Sequence, residues 1–439
     1  MVQLFHTAVG HGSWTRMASY QTCSITSSFP PITTLFLTLR RISMELSNIY
    51  NDQCPSKTDD NEYKGFEQGP IRPPSEAGSL LLRITRNCPW NQCTFCGLYK
   101  GQKFSLRPVD HILRDIDLVH QNVEKLLDLE KLYGRMLLSH FHALENDPGF
   151  DPQAMYAAYN FINNGMHSIF MQDGNSFILK PDDLVLILKH IRECFPDVDR
   201  ITTYARSKSV AKVSDEDMIR ISEAGLNRVH IGMESGSDKV LKAVKKGVDK
   251  TTQIAAGQKV KRAGMELSEY WMLGLGGRSL SRENAVETAD ALNQINPDFI
   301  RLRTLGLPDS APLAAQYAAG EFDKMGEVET TQELLLMLDS LAEIDATVRN
   351  DHVLNLFREV DGKITEDREV MTKPVRAFLD LPPEEQMLFS IGRRTHCFSR
   401  FSDLNDPEKR GYAKQRCREL GVSLENWDHV VDQILKQFI

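Results

Sequence analysis

No apolar run in this 439-residue chain approaches the ~20 residues that a membrane-spanning helix needs, so no such span is expected. Excess positive charge is missing too: 52 Lys and Arg face 60 Asp and Glu, for a formal net charge of −8. A dominant, non-specific pull on nucleic-acid phosphates is therefore not expected, although a local basic patch stays compatible with that balance. Cysteine is sparse, with eight in the whole chain, too few for a disulfide framework and consistent with a reducing, cytoplasmic setting. Tandem repeats and low-complexity segments are absent beyond residue 78. So are a P-loop, a G-x-G-x-x-G fingerprint and an Asp-x-His-x-x-Gly signature; Asp351-His352 lacks the spacing. The first 43 residues lack Asp and Glu entirely, carry three Arg and are rich in Ser and Thr. That composition suits an organelle leader or an extension upstream of a true start at Met44. The second reading is preferred, because the first Arg comes only at Arg16 and no Arg-spaced amphipathic face is visible.

What is present is an ordinary globular composition, 41% hydrophobic and 26% charged, with one unusual cluster. Cys88, Cys93 and Cys96 fall within the run Asn87–Gly97, a C-x4-C-x2-C spacing directly after the apolar stretch Ser79–Ile84. Three thiolates held this closely can ligate three irons of a [4Fe-4S] cube and leave the fourth iron open. Zinc is the rival, but a closed zinc site needs a fourth ligand, and His111 is the first Cys or His beyond the cluster.

From Leu80 to about Pro308 strand-like runs alternate with helical patterns, which implies βα units on a parallel sheet. The expected strands are Leu80–Thr85, His167–Gln172, Arg200–Ala205, Arg228–Met233, Glu266–Leu273 and Asp298–Thr304. Between them lie helical segments Lys180–Cys194, Asp215–Ala224, Asp238–Lys245, Lys250–Ala263 and Ser281–Ile295, with Gly225 and Gly264 placed as left-handed stops. Residues 108–164 are long for one crossover and should hold two or more helices around a loop over 140–151. Six units make a partial (βα)6 half-barrel of α/β class rather than the closed eight. Residues 1–43 read as the extension, 44–79 as an N-terminal linker, 80–308 as the core and 309–439 as a mainly helical region. Its better helical candidates are Thr330–Val348, Lys373–Phe378, Pro383–Ser390 and Trp427–Phe438.

These residues resemble the radical S-adenosylmethionine superfamily, and within it the coproporphyrinogen-oxidase-like and methylthiotransferase-like branches. The usual spacing there is C-x3-C-x2-C, one residue shorter than here. The resemblance implies that Cys88, Cys93 and Cys96 hold a [4Fe-4S] cluster whose free iron takes the methionine end of S-adenosyl-L-methionine. It implies an enzyme that cleaves this cofactor reductively and abstracts hydrogen from a small molecule. An electron donor such as a flavodoxin or ferredoxin would serve it.

Chemistry in parallel β/α folds gathers at the carboxyl ends of the strands, where the remaining candidates stand. The resemblance assigns Phe95 to packing against adenine, which is compatible with a core role. Asp173-Gly174-Asn175 occupies the place of the family's Gly-Gly-Glu motif, though Asp-Gly-Asn also makes a common turn. Tyr204 and Arg206 end the third strand. Glu234 and Ser235 lie in Ile231-Gly-Met-Glu-Ser-Gly-Ser, the segment after the fourth strand in those branches. There Glu234 would face the ribose or methionine end and Lys246 would pair with the carboxylate; a helix-capping acid and an incidental lysine are the alternatives. Gly274 sits in the Gly-rich turn expected to line the adenine. Arg301 and Arg303 share one face of the sixth strand and suit either an anionic substrate group or acidic neighbours. A haem carrier without radical turnover and a zinc-stabilised binding module are the competing functions. The motifs do not specify the substrate.

Overall fold

The computed structural model describes residues 62–134, 144 and 149–438. The expected leader over 1–43, and most of the loop expected over 140–151, lie outside the described residues. From Lys64 onward the chain forms one compact unit.

All six expected strands form, each within a residue or two of its expected ends. They are β1 (Leu80–Arg83), β2 (Ser168–Gln172), β3 (Arg200–Ala205), β4 (Arg228–Glu234), β5 (Glu266–Leu273) and β6 (Phe299–Thr304). Each pairs in parallel with the next, in chain order. The sheet then continues where none was expected. β7 (Thr347–Arg349) pairs in parallel with β6, and β8 (Gly362–Lys363) pairs antiparallel with β7. The region after residue 308 is therefore not helical alone. A three-residue strand is too short to show a period, so its register against Phe299–Arg301 had no sequence signal.

Helices α1 (Val109–Tyr133) and α2 (Pro152–Asn163) fill the long first crossover. The longer ones between the remaining strands are α3 (Pro181–Cys194), α4 (Asp215–Glu223), α5 (Asp238–Ala243), α6 (Lys250–Arg262) and α7 (Gly277–Ile295), with a single helical turn at Ser207–Val210 after β3. Their starts are capped as the sequence suggests. Ser214, Ser237 and Asp249 each accept a backbone N–H from the first turn, and such caps stabilise a helix by ~1 kcal/mol. Gly225 and Gly264 take φ of +114° and +77° at the expected stops, conformations that favour glycine. Beyond β6 come α8 (Pro312–Ala318), α9 (Glu327–Ser340), α10 (Ile364–Leu379), α11 (Pro383–Arg394), α12 (Pro407–Glu419) and α13 (Trp427–Leu435). The helix expected over Thr330–Val348 ends at Ser340 because the following residues turn into β7. α12 escaped notice because it is polar nearly all round, burying only Ala413 and Cys417.

Strand periodicity splits the sheet into two faces. Ile169, Met171, Ile201, Val229, Ile231, Leu267, Trp271, Ile300 and Leu302 join the main apolar core. The alternate set forms a belt: Phe170, Tyr204, His230 and Tyr270 run ring to ring at 5.0, 5.8 and 5.6 Å, and Arg303 lies 4.6 Å over Tyr270. A parallel sheet covered by helices on one face leaves the other for a ligand at the strands' carboxyl ends.

Candidate active site

The three cysteines occupy the loop that leaves β1, and none is disulfide-bonded. Asn87 and Asn91 take φ of +68° and +45°, turning the loop sharply on both sides of Cys88. Side chains that carry short polar groups tolerate that conformation best. The loop is fastened at several points. Asn87 N donates to Asp173 Oδ2 at 2.9 Å, Thr94 N to Val244 O at 3.0 Å, and Leu313 N to Thr94 O at 2.8 Å. Trp90 Nε1 donates to Lys245 O at 2.7 Å while its ring packs on Gly247, where an added Cβ would start 2.3 Å from the indole. Gly247 also has φ +74°, so a side chain there meets both strain and collision.

Burial pushes the thiols of Cys93 and Cys96 above their ordinary value, with the cation of Lys246 pulling the other way on both. A thiol kept neutral by burial becomes a thiolate when a metal takes the proton's place. The donor set thus fits an iron-sulfur centre.

Glu234 follows a bulge in β4 and has φ +66°. Its Oε1 accepts from Lys246 Nζ at 3.1 Å, and both side chains are largely buried. A Cβ added to Gly232 would stand 2.4 Å from Glu234 Oε1 and 3.2 Å from Lys246 Nζ, so the pair sits on the belt's face of the sheet. Burial opposes the charge on Lys246, but Glu234 and Cys93 outweigh it and hold the ammonium ion charged. Lys246 Nζ also lies 5.8 Å over the Phe95 ring. Phe95 itself packs against a small apolar cluster of Val240, Val244, Leu275, Leu305, Leu307 and Leu313. Arg206 donates to Lys246 O at 2.8 Å and stands 5.1 Å over Trp90. The structure therefore gathers Phe95, Arg206, Glu234 and Lys246 around the cysteine loop.

The other candidates are spoken for locally. Asp173 Oδ2 accepts from Arg83 at 2.8 Å as well as from Asn87 N, and burial still raises its carboxyl against the pull of Arg83. Its Oδ1 has no partner among the described residues. Gly174 faces the loop, with an added Cβ at ordinary contact, 3.8 Å, from Cys88 Cα. Asn175 ties two strand ends together, donating to Ser209 Oγ at 2.8 Å and accepting from Arg206 N at 3.0 Å. Ser235 Oγ accepts from Ser237 N at 3.0 Å. Tyr204 belongs to the aromatic belt. Gly274, with φ +82°, donates its N–H to Glu333 Oε2 at 2.6 Å. Arg301 and Arg303 both reach Asp351, so of the two readings the structure gives them an acidic neighbour.

Sequence reading missed four parts of this region. His230 and Tyr270 complete the belt, Asp351 joins it from after β7, and Glu269 is buried in mid-strand with neither carboxylate oxygen partnered. Burial pushes the Glu269 carboxyl well above the usual carboxylate range. An acid in the middle of Glu266–Leu273 was the available signal.

Residues 152–292, from α2 to α7, match the family model described as Radical SAM superfamily. The cysteine loop precedes that region. No curated protein matches the chain. Many solved structures resemble it, the following three among them, each with a TM-score below 0.4. The archaeal Elp3 of Methanocaldococcus infernus has a TM-score of 0.36 and 16% identity, over 45% of this chain and 51% of that one. Coproporphyrinogen III oxidase of Escherichia coli, described as a radical SAM enzyme, has a TM-score of 0.37 and 16% identity, over 57% and 50%. Methylornithine synthase has 0.36 and 14%, over 60% and 64%. The chain thus spans half to two thirds of the length of these structures.

Proposed function

We propose that this chain, which carries a radical S-adenosylmethionine domain, is an enzyme that uses a [4Fe-4S] cluster and S-adenosyl-L-methionine to abstract hydrogen from a small-molecule substrate. The observation that carries this reading is the loop leaving β1, where three free thiols stand beside the Glu234–Lys246 pair. Cys88, Cys93 and Cys96 would hold the cluster, which when bound would supply a low-potential electron for reductive cleavage of S-adenosylmethionine. Glu234 offers an acceptor to the ammonium or ribose hydroxyls of the cofactor, and Lys246 a cationic donor to its carboxylate. Phe95 and the apolar cluster around it offer the adenine a dry surface. Asp173, through Arg83 and the Asn87 amide, fixes the loop rather than touching iron. The aromatic belt and Arg303 line the sheet face opposite the main apolar core and would exclude water from a reactive carbon there. A low-potential donor such as a flavodoxin or ferredoxin supplies the electron.

Anaerobic reconstitution tests the reading: about four irons and four sulfides per chain are expected, with 5′-deoxyadenosine formed on reduction. Cys93→Ala should abolish the visible thiolate-to-iron absorbance. Stoichiometric zinc without labile sulfide would overturn the reading. So would stoichiometric haem binding with no deoxyadenosine, which is the signature of a carrier.

A further inference from the structure

Helices α1 and α3 pack side by side. His190 and Cys194 are four residues apart on α3 and so share one face, which meets Asp117 of α1. His190 Nε2 lies 2.7 Å from Asp117 Oδ1 and 3.8 Å from Cys194 Sγ, and that sulfur is 4.0 Å from the same Asp117 oxygen. One oxygen, one nitrogen and one sulfur thus converge on a single point. α3 runs on through Phe195–Asp199 into the start of β3, so the group sits toward the amino ends of the strands, away from the cysteine loop.

We propose that Asp117, His190 and Cys194 form a separate site for one zinc ion, which ties α1 to α3. Tetrahedral zinc with bonds of ~2.3 Å to sulfur and ~2.0–2.2 Å to nitrogen and oxygen needs donor separations of about 3.4 to 3.6 Å. The triad is near that: the His–Asp contact would open by about 0.7 Å and the sulfur would close by about 0.2 to 0.4 Å. The donor types favour zinc over magnesium or calcium, which prefer oxygen alone. Glu193 Oε2, 3.6 Å from His190 Nδ1, adds negative charge on the other side of the ring without reaching hydrogen-bond distance. Asp117 is 48% exposed and His190 24%, so an ion and a fourth, water ligand have access from solvent. Burial, with Asp117, Glu193 and Glu124 nearby, pushes the Cys194 thiol up to about 11. A divalent cation relieves that excess of negative charge and takes the thiol proton's place. The amino end of a β/α sheet is where structure rather than chemistry is served, and a staple belongs there.

The test uses the full chain with its iron-sulfur cluster reconstituted, so that Cys88, Cys93 and Cys96 are occupied. Zinc titrated by calorimetry should bind once per chain. Its X-ray absorption should report one sulfur and lighter N/O neighbours, and Tm should rise by a few degrees at 100 times Kd. Cys194→Ser and His190→Gln should each weaken zinc by about 100-fold or more while leaving iron content and deoxyadenosine formation unchanged. No saturable zinc, or full affinity in both variants, would overturn the site. Zinc that disappears with Cys93→Ser but not with Cys194→Ser would do so equally.

Discussion

Two carboxylates show how single side chains set the behaviour of this site. Glu333 of α9 is almost fully buried, accepting from Gly274 N at 2.6 Å and from Asn284 Nδ2 at 3.0 Å. Burial raises its carboxyl from 4.5 to about 7. The folded chain therefore holds a proton between those values that the unfolded chain has lost. Its contribution to stability is complete below pH ~4.5 and is lost as pH rises through about 7, a change on the order of 3 kcal/mol. Glu333→Gln, which has no titrating proton and can still accept from Gly274 N, should flatten that slope. Urea midpoints at pH 5 and pH 8 measure it, and an unchanged slope would place the titration elsewhere. On the function proposed above, Glu234 acts on the cofactor instead. Hydrogen bonds to charged groups are worth ~1.5–3 kcal/mol, so Glu234→Ala should keep its iron yet bind S-adenosylmethionine about 10- to 150-fold more weakly. Parent-level affinity in that variant would remove Glu234 from the cofactor site.

Among elements, legibility followed length. The six strands of the core announced themselves as apolar runs bounded by turn residues, and their helices by caps and terminal glycines. β7 did not, because three residues cannot display a period; it exists because β6 offers it a register and Val348 a buried place. The cysteine loop was readable in its place after β1, because three cysteines in eleven residues stand out in a chain with eight. Its fastenings were not: Asp173 is 86 residues from Asn87, and Asp351 is 48 from Arg303, and no local signal marks such pairs. Val348 tests the short strand directly. It is fully buried, so Val348→Asp should destabilise the protein by on the order of 3 kcal/mol or more. A thermal transition unmoved by that change would mean β7 contributes nothing to the fold.

Across the molecule, the core is continuous rather than divided at residue 308. One apolar cluster runs from Phe66 through the sheet to Leu435. Arg394 of α11 pairs with Glu327 of α9 at 2.7 Å, both mostly buried, and a pair of this kind is costly to break from one side. A chain ending at residue 308 would expose the core faces that α9 to α11 cover. It should not unfold as a cooperative unit, whereas residues 64–439 should give one transition by calorimetry. A sharp transition in the shortened chain would show that β1 to β6 and α1 to α7 suffice.

The way the sheet stops has a consequence for how copies of this chain meet. A parallel sheet left open at its last strand offers bare amides and carbonyls on which a neighbour can template, the usual opening for edge-to-edge aggregation. Here the outermost strand is two residues long and runs against the rest. It carries Lys363, paired with Asp345 and Glu366, and beside it Arg349 pairs with Asp361. So brief and so charged a border leaves no room for a foreign strand to register, and concentrated protein should stay free of β-rich fibres nucleated from that side.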